Sequence, residues 1–272
     1  MRFFLVLLLI SQSVFASFEA ATIYGDDDRA DVADVDIVDL SLGVVVALPT
    51  QFTWQLPLVH APTLERRFKV CSDERFASQP SIGSCTGMHV GDGLVLTPAH
   101  CVRDQLSCEK FSWAFNYRTD VIGERAGALS INDVFKCEKI VLTDKKNDLT
   151  LLKLEKAARS YPHMPLRFNA PRTERIFAIG SPLGLPLKFS GMGQLTSDHT
   201  ASLDVFTGNS GSPILNEDRQ VIGLLLGGHE DFSVTERGCR KSFVLEESRH
   251  EETIFPLASL PTSFKKYIRR AQ

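Results

Sequence analysis

From about residue 80 onward, the chain consists of short apolar segments separated by turn residues. The segments have the length of β-strands, and Gly, Pro and Asp lie between them. Ser84–Val90 and Leu94–Thr97 are joined by a Gly-Asp-Gly turn and predict a hairpin. The one clear helical pattern is Thr262–Arg270, after Pro261. This spacing predicts an all-β barrel or sandwich. The other strand-length segments are Lys139–Leu142, Leu149–Leu154, Arg175–Ile179, Ser212–Leu215 and Val221–Leu226.

The composition is that of an ordinary globular protein. The 272 residues are 43% hydrophobic and 23% charged, which excludes wholesale disorder and leaves room for one large domain or two small ones. The net charge of −3 gives no reason to expect nucleic acid as a partner.

The first sixteen residues have the pattern of a secretory signal. Arg2 supplies a positive charge, Phe3–Ile10 is an unbroken apolar run, and Val14–Ala16 has the form of a cleavage site. An apolar run of this length is too short for a bilayer core, which requires about 20 residues, so we expect no membrane anchor. The pattern predicts a signal peptide at 1–16 and a secreted or periplasmic protein.

The next stretch is strongly acidic. Residues 17–50 hold eight acidic residues and one arginine, a net charge of −7, whereas residues 51–272 carry +3. Three interpretations are open for this acidic N-terminal arm: a prosegment, a mobile tail, or an ordinary solvated N-terminal strand.

Three short segments supply the parts of a serine nucleophile system, in the order His, Asp, Ser. They are Leu96–Cys101 (LTPAHC), Asn147–Leu154 (NDLTLLKL) and Thr207–Pro213 (TGNSGSP). A serine hydroxyl is a poor nucleophile at neutral pH, so a neighbouring imidazole has to take its proton. A carboxylate behind the ring fixes the tautomer, and glycines next to the serine allow backbone amides to approach an oxyanion.

With these three segments, the sequence resembles the chymotrypsin-like (trypsin-like) serine peptidases over roughly residues 71–230. The Gly-Asn-Ser-Gly-Ser-Pro motif at 208–213 is similar to that of the bacterial secreted members. The resemblance implies two six-stranded antiparallel β-barrels with the active site in the cleft between them, followed by a short C-terminal helix. The domain boundaries predicted on this basis are an arm or prosegment at 17–64, a first barrel at 65–160, and a second barrel with the helix at 161–272.

The resemblance also implies roles for individual residues. His100 is the general base, Asp148 is its orienting carboxylate and Ser210 is the nucleophile, while the amides of Gly208 and Ser210 form the oxyanion hole. The expected substrate is a protein or peptide. We expect a monomer and neither a cofactor nor a metal.

Six cysteines in an exported chain are expected to form disulfides. In the family that this sequence resembles, a bridge often links the strand before the catalytic His to the residue after it, which implies Cys85–Cys101. The remaining four cysteines allow three connectivities. We favour Cys108–Cys137, on either side of an aromatic strand, which leaves Cys71–Cys239.

The sequence departs from its relatives in two ways. Digestive-type members have an Asp before the nucleophile that receives the ammonium group of a new N-terminus, but Asn209 carries no charge, so we predict no activation by that ion pair. Ile23–Arg29 is similar to the N-terminal segment of glutamyl endopeptidases. Those enzymes read an acidic substrate side chain with a His, and Leu225 occupies its place here.

A dibasic pair, Arg66-Arg67, is a candidate cleavage point for maturation.

The predicted specificity rests on Asp204, six residues before Ser210. In trypsin-like enzymes an Asp at this offset lies at the base of the specificity pocket, which predicts cleavage after Arg or Lys. The alternative is that Asp204 is a turn or structural residue. Gly227 and Gly228 are predicted to line the pocket wall and to offer backbone hydrogen bonds to an extended substrate.

Two other functions are compatible with such a chain: a catalytically silent member of the fold that binds protein, and an enzyme that acts on esters. An α/β-hydrolase is excluded, because its nucleophile motif has Gly two residues after Ser, where Ser212 stands here, and its His comes last. The remaining histidines receive no catalytic role: His60, His89, His163, His199, His229 and His250.

Overall fold

The computed structural model describes residues 22–50, 61–123, 129–169, 174–228 and 230–272. The predicted signal peptide, His60 and His229 lie outside the described residues. The strands, in chain order, are β1 (Ile23–Tyr24), β2 (Ala30–Asp31), β3 (Val44–Pro49), β4 (Cys85–His89), β5 (Leu94–Pro98), β6 (Phe111–Ala114), β7 (Val134–Asp144), β8 (Leu149–Leu154), β9 (Glu174–Gly180), β10 (Lys188–Phe189), β11 (Gly193–Leu195), β12 (Thr200–Ala201), β13 (Pro213–Asn216), β14 (Val221–Gly227), β15 (Phe232–Val234), β16 (Arg240–Ser242), β17 (Val244–Leu245) and β18 (Glu252–Pro256). The helices are α1 (Val38–Ser41), α2 (Leu64–Phe68), α3 (Gln105–Lys110), α4 (Thr119–Ile122) and α5 (Thr262–Ala271).

Six strands close the first barrel in the order β3-β4-β5-β8-β7-β6, and every pairing is antiparallel. The predicted hairpin is β4–β5. Its turn contains three residues with positive φ: Gly91 (106°), Asp92 (47°) and Gly93 (69°). Glycine adopts such angles without the steric penalty that a Cβ brings, which explains this turn sequence.

Strand β3 is the main difference from the predicted domain boundaries. It lies inside the stretch assigned to the acidic arm at 17–64, yet it pairs with both β4 and β6 and so closes the first barrel. Its alternating residues serve two cores. Val45 and Ala47 fill the barrel interior, whereas Val44 and Val46 pack in the cluster between the barrels. The first barrel therefore begins at Val44 rather than at residue 65.

The second barrel is also closed by six antiparallel strands. Its order is β11-β12-β18-β14-β13-β9, and β9 pairs with β11 to complete the ring. Strands β10 and β2 extend it at β9, so residues of the arm add a strand at its edge. The two barrels confirm the predicted all-β, chymotrypsin-like fold.

The largest apolar cluster lies between the barrels and beneath the C-terminal helix. It contains Val44 and Met88 from the first barrel, Leu224 and Phe255 from the second, and Phe264 of α5. Burial of such side chains contributes roughly 1.5–3 kcal/mol each, which fixes the two barrels against one another. The cleft between the barrels therefore has walls that are packed against one another at its base. Helix α5 corresponds to the helix predicted at Thr262–Arg270.

In the described parts of the chain, none of the helices has both the length and the apolar character needed to cross a bilayer.

Candidate active site

His100 and Asp148 are brought together by two neighbouring strands of the first barrel. Pro98, at the end of β5, pairs with Leu149, at the start of β8, so the residues just beyond these strand ends lie side by side. Asp148 Oδ2 is 2.5 Å from His100 Nδ1, and Oδ1 accepts a hydrogen bond of 2.8 Å from the His100 backbone N–H. The carboxylate thus holds both the ring and the backbone of His100, and Nε2 is the ring nitrogen on the far side.

Asp148 has a left-handed backbone conformation, with φ at +53°. Asp and Asn adopt this region more readily than other residues with a Cβ. The tight turn lets the Asp148 carbonyl accept from the Ala99 N–H at 2.9 Å while its side chain reaches His100.

Ser210 lies on the loop before β13, and two residues of the first barrel contact its carbonyl oxygen. Thr86 N–H donates to it at 2.9 Å, and Cys101 Sγ, next to His100, lies 3.9 Å from it. The Ser210 hydroxyl donates to the Leu226 carbonyl at 3.3 Å. The Ser210 loop of the second barrel is therefore held against the end of the first barrel that carries His100.

Gly208 has a backbone conformation and surroundings that favour glycine. Its φ is +100°, and a Cβ at this position would lie 2.6 Å from the Ser181 carbonyl oxygen. In the part of the chain that the structure describes, neither the Gly208 nor the Ser210 backbone N–H donates to another residue. Both amides are available to an acceptor that enters the cleft.

Thr86 is a supporting residue that the sequence analysis missed. Its buried hydroxyl donates to the Gly208 carbonyl at 2.8 Å and accepts from the Ser181 N–H at 3.1 Å. Leu183 N–H in turn donates to the Thr207 carbonyl at 2.5 Å. The turn within 180–186 therefore supports the loop that carries Gly208, and only tertiary contacts identify Thr86 as part of this arrangement.

Asn209 makes local hydrogen bonds. Its backbone N–H donates to the Phe206 carbonyl at 2.9 Å, and its side-chain oxygen accepts from the Ser212 hydroxyl at 3.2 Å. Asn209 therefore holds the turn between Phe206 and Ser212 through contacts close in sequence.

The structure contains three disulfides, and these are the three pairs expected from the sequence: Cys85–Cys101, Cys108–Cys137 and Cys71–Cys239. Cys85–Cys101 links β4 to the residue after His100. The sulfurs of this bridge and the His100 ring form the one compact group of potential metal ligands among the described residues. Because both sulfurs are bonded to each other, they are not thiolate ligands, and the group is a clamp on His100.

Asp204, the residue predicted at the base of a substrate pocket, is bound by the N-terminal arm. Leu203 and Val205 point into the core of the second barrel, so the Asp204 side chain points away from it. Both carboxylate oxygens accept backbone N–H groups of the arm, from Tyr24 and Asp28, each at 2.8 Å. Burial raises the pKa of Asp204 to about 7, although the two amide hydrogen bonds act in the opposite direction. Asp204 is thus a contact to the N-terminal arm.

Gly227 and Gly228 follow Leu226, whose carbonyl binds the Ser210 hydroxyl, so they border the same cleft. A Cβ on Gly227 would meet no atom within 4 Å, whereas one on Gly228 would lie 1.7 Å from Glu252 Oε2. Glu252 is buried on β18, and its other oxygen accepts from the Tyr24 hydroxyl at 3.0 Å. This carboxylate was also missed, since no sequence motif links it to the glycines.

The structure also shows the surroundings of His89, Leu225 and the Arg66-Arg67 pair. His89 is buried, its Nδ1 binds the Pro162 carbonyl and its Nε2 accepts from Gly93 N–H, and burial lowers its pKa. Leu225 is buried in the second barrel, and the Arg66-Arg67 pair lies in α2, where Arg67 donates to the Gly83 carbonyl at 2.9 Å.

Comparison with known proteins identifies the family of this chain. The model of the trypsin-like peptidase domain matches residues 85–224, and the chain belongs to this family. The comparison with curated proteins gave no match.

Two solved structures share the fold. A Glu endopeptidase in complex with MPD is 15% identical, with a TM-score of 0.53, over 92% of this chain and 98% of that one. A serine endoprotease from Yersinia pestis is 18% identical, with a TM-score of 0.52, over 86% of this chain and 65% of that one. Identities this low relate the chains by fold.

Proposed function

We propose that this protein is an exported serine endopeptidase that cleaves peptide bonds through an acyl-enzyme. The observation that carries the proposal is the His100–Asp148 pair, which lies beside a loop that presents Ser210 and two available backbone amides. A catalytically silent protein-binding member of the fold is the alternative, and an esterase is a second one. A silent member has no requirement for the short contact between His100 and Asp148.

The proposed reaction starts when the Ser210 hydroxyl turns from the Leu226 carbonyl towards His100. Ser210 Oγ attacks the carbonyl carbon of the scissile bond and its proton passes to His100 Nε2, while Asp148 stabilises the imidazolium. The amides of Gly208 and Ser210 stabilise the tetrahedral oxyanion, and such a donor is worth about 3 kcal/mol of barrier. His100 then gives its proton to the leaving amine. A water, deprotonated by His100, hydrolyses the acyl ester and restores Ser210.

The proposed compartment is the cell exterior or the periplasm. Its support is the signal-like sequence at 1–16 together with three disulfides, which persist in an oxidising environment.

Labelling with a fluorophosphonate tests the catalytic proposal. We expect the wild type to be labelled and Ser210→Ala to remain unlabelled, with Ser197→Ala, in an exposed turn of the second barrel, as the matched control. An unlabelled wild type supports the silent binder, and labelling that survives Ser210→Ala contradicts the proposal. Labelling together with hydrolysis of esters but not of peptides favours the esterase.

The proposed specificity is cleavage after Arg or Lys. The Asp204 side chain is turned towards the arm. The acidic group that supports a preference for Arg or Lys is therefore Glu252, whose carboxylate lies against Gly228. A peptide library tests this assignment: Glu252→Gln is expected to lower the preference for basic residues at least about tenfold. An unchanged profile contradicts the assignment of Glu252, and a wild type without basic preference contradicts the specificity itself.

A further inference from the structure

The first described residues of the arm pair with two strands from the second half of the chain, β17 and β10. Strand β1 pairs with β17, and Ile23 and Gly25 N–H groups donate to the carbonyls of Phe243 and Leu245 at 3.0 Å each. A few residues later, β2 pairs with β10. The segment between these two strands is thus held at both ends.

Between its two strands, the arm contacts the chain that leads to the nucleophile. Asp204 binds two N–H groups that are four residues apart in the arm, those of Tyr24 and Asp28. Asp204 is only 5% exposed, and leaving either of its two hydrogen bonds unmade in this buried place would be costly, so the contact holds the arm in position.

A second contact lies two residues closer to the nucleophile. The Arg29 guanidinium lies 4.2 Å from the centroid of the Phe206 ring. Asp27 binds this guanidinium through both carboxylate oxygens, at 2.9 and 2.7 Å, and the Arg29 side chain is 2% exposed. A desolvated cation over an aromatic ring is a strong contact of its kind.

The two contacted residues directly precede the oxyanion loop. The Phe206 carbonyl accepts the Asn209 N–H at 2.9 Å, and Thr207 N–H donates to the buried Asp231 at 3.0 Å. These two bonds set the backbone path through Gly208. A displacement of Asp204 or Phe206 therefore changes the direction of the Gly208 and Ser210 amides.

We propose that residues 22–31 are a positioning element, which holds residues 204–209 through Asp204 and Phe206 in the conformation where the Gly208 and Ser210 amides converge. The inference rests on the proposed peptidase function. In this proposal, backbone amides within the arm order the loop. Asn209 cannot do so through an ion pair, because it is uncharged and its hydrogen bonds are local. Asp204 is then a positioning residue that does not touch substrate.

Asp204→Asn tests the proposal. The amide side chain keeps one acceptor oxygen and presents an NH₂ group to the other arm N–H, so one of the two hydrogen bonds is lost with little change of shape. We expect kcat to fall about tenfold or more, because the amides act in the transition state, with KM changed less than about threefold. The residue preference before the scissile bond is expected to stay the same.

Amide hydrogen exchange provides a readout that does not need activity. In Asp204→Asn, we expect faster exchange at Thr207 and Asn209 than in the wild type, while exchange in β5 stays the same. Asp198→Asn, the same change at an exposed turn of this barrel, is the control and is expected to alter neither measurement. If Asp204→Asn does not fold, Arg29→Lys serves instead, because it keeps the charge but loses the two-oxygen contact to Asp27.

The outcomes separate this inference from the proposed function. Unchanged kcat and unchanged exchange in a folded variant overturn the inference, and so does an altered residue preference, which would mean that Asp204 reads substrate. A wild type that fluorophosphonate does not label contradicts the peptidase proposal, and the exchange measurement then still decides whether the arm orders the loop.

Discussion

At the scale of single residues, Asp148 combines an unusual backbone angle with two contacts to His100. The φ of +53° is one that Asn also tolerates, so Asp148→Asn keeps the turn and changes the side chain alone. With its oxygen bound to the His100 N–H, the Asn NH₂ group faces Nδ1 and forces the ring into the tautomer that cannot accept the serine proton. We predict a loss of about 10⁴-fold in kcat, measured on a peptide substrate.

The control for this prediction is the unfolding free energy of the same variant. We expect this free energy to change much less than the activation free energy of catalysis, because the backbone contacts of the turn remain. A variant with more than about a tenth of wild-type kcat would contradict the assigned role of Asp148.

Gly208 and Gly227 form a matched pair at the candidate site. Gly208 has φ at +100° and a crowded Cβ position, whereas Gly227 has open space. We predict that Gly208→Ala lowers the free energy of unfolding by about 1–3 kcal/mol and that Gly227→Ala changes it by less than about 1 kcal/mol. Urea denaturation of the two variants measures this, and equal losses would contradict the strain argument.

At the scale of secondary-structure elements, β3 decides where the first barrel begins. A chain that starts at residue 65 lacks this strand and leaves β4 and β6 without a partner on one side. We predict that such a chain shows no cooperative unfolding transition, because Val45 and Ala47 are missing from the barrel interior. A chain that starts at Thr22 keeps every described residue and is the control. Cooperative unfolding of the 65–272 chain would show that the barrel closes without β3.

The same element shows why the domain boundary was misplaced. The acidic residues of the arm suggested a solvated segment, but the apolar run Val44–Leu48 follows them directly. A run that is buried on both faces lacks the alternation of a half-exposed strand, and its partners lie about 40 residues or more downstream. Periodicity alone did not distinguish it from the end of a tail.

At the scale of the whole molecule, opposite charges join the acidic arm to the body. Asp31 binds Lys188 at 2.6 Å in a buried pair, Arg75 lies 3.2 Å from Asp27, and Arg219 lies 3.1 Å from Asp36. Residues 17–50 carry a net charge of −7 and residues 51–272 carry +3. Part of this difference is thus used in ion pairs between the arm and the rest of the fold.

Burial of Asp204 within this assembly makes stability depend on pH. Its pKa is raised from 3.8 to about 7, so between about pH 4 and 7 the native state binds more protons than the unfolded state. The contribution of Asp204 to stability is therefore present at low pH and is lost as the pH rises to about 7, by at most about 1.4 kcal/mol per pH unit. Asp27 and Arg29 are the charged neighbours that modulate it, with opposite signs.

We predict that the difference in unfolding free energy between the wild type and Asp204→Asn decreases as pH rises from about 4.5 to 7.5. Urea denaturation at several pH values measures it. Asp231, whose pKa is raised to about 6 by burial, is present in both forms and does not affect the comparison. A difference that stays constant over this range would contradict the raised pKa.

The sequence by itself determined the fold class and the three segments that hold His100, Asp148 and Ser210, because strand length, turn residues and nucleophile chemistry are local properties of the chain. The resemblance to a known family that these segments carry implied the Cys85–Cys101 disulfide. Only the tertiary structure decided that Val44–Pro49 closes the first barrel, that Asp204 binds the arm, and that Thr86 and Glu252 border the site. These are contacts between residues from 38 to more than 200 positions apart, and they depend on which face of each strand is buried. Which face of a strand is buried is decided only when the barrels close, so no local sequence pattern shows it.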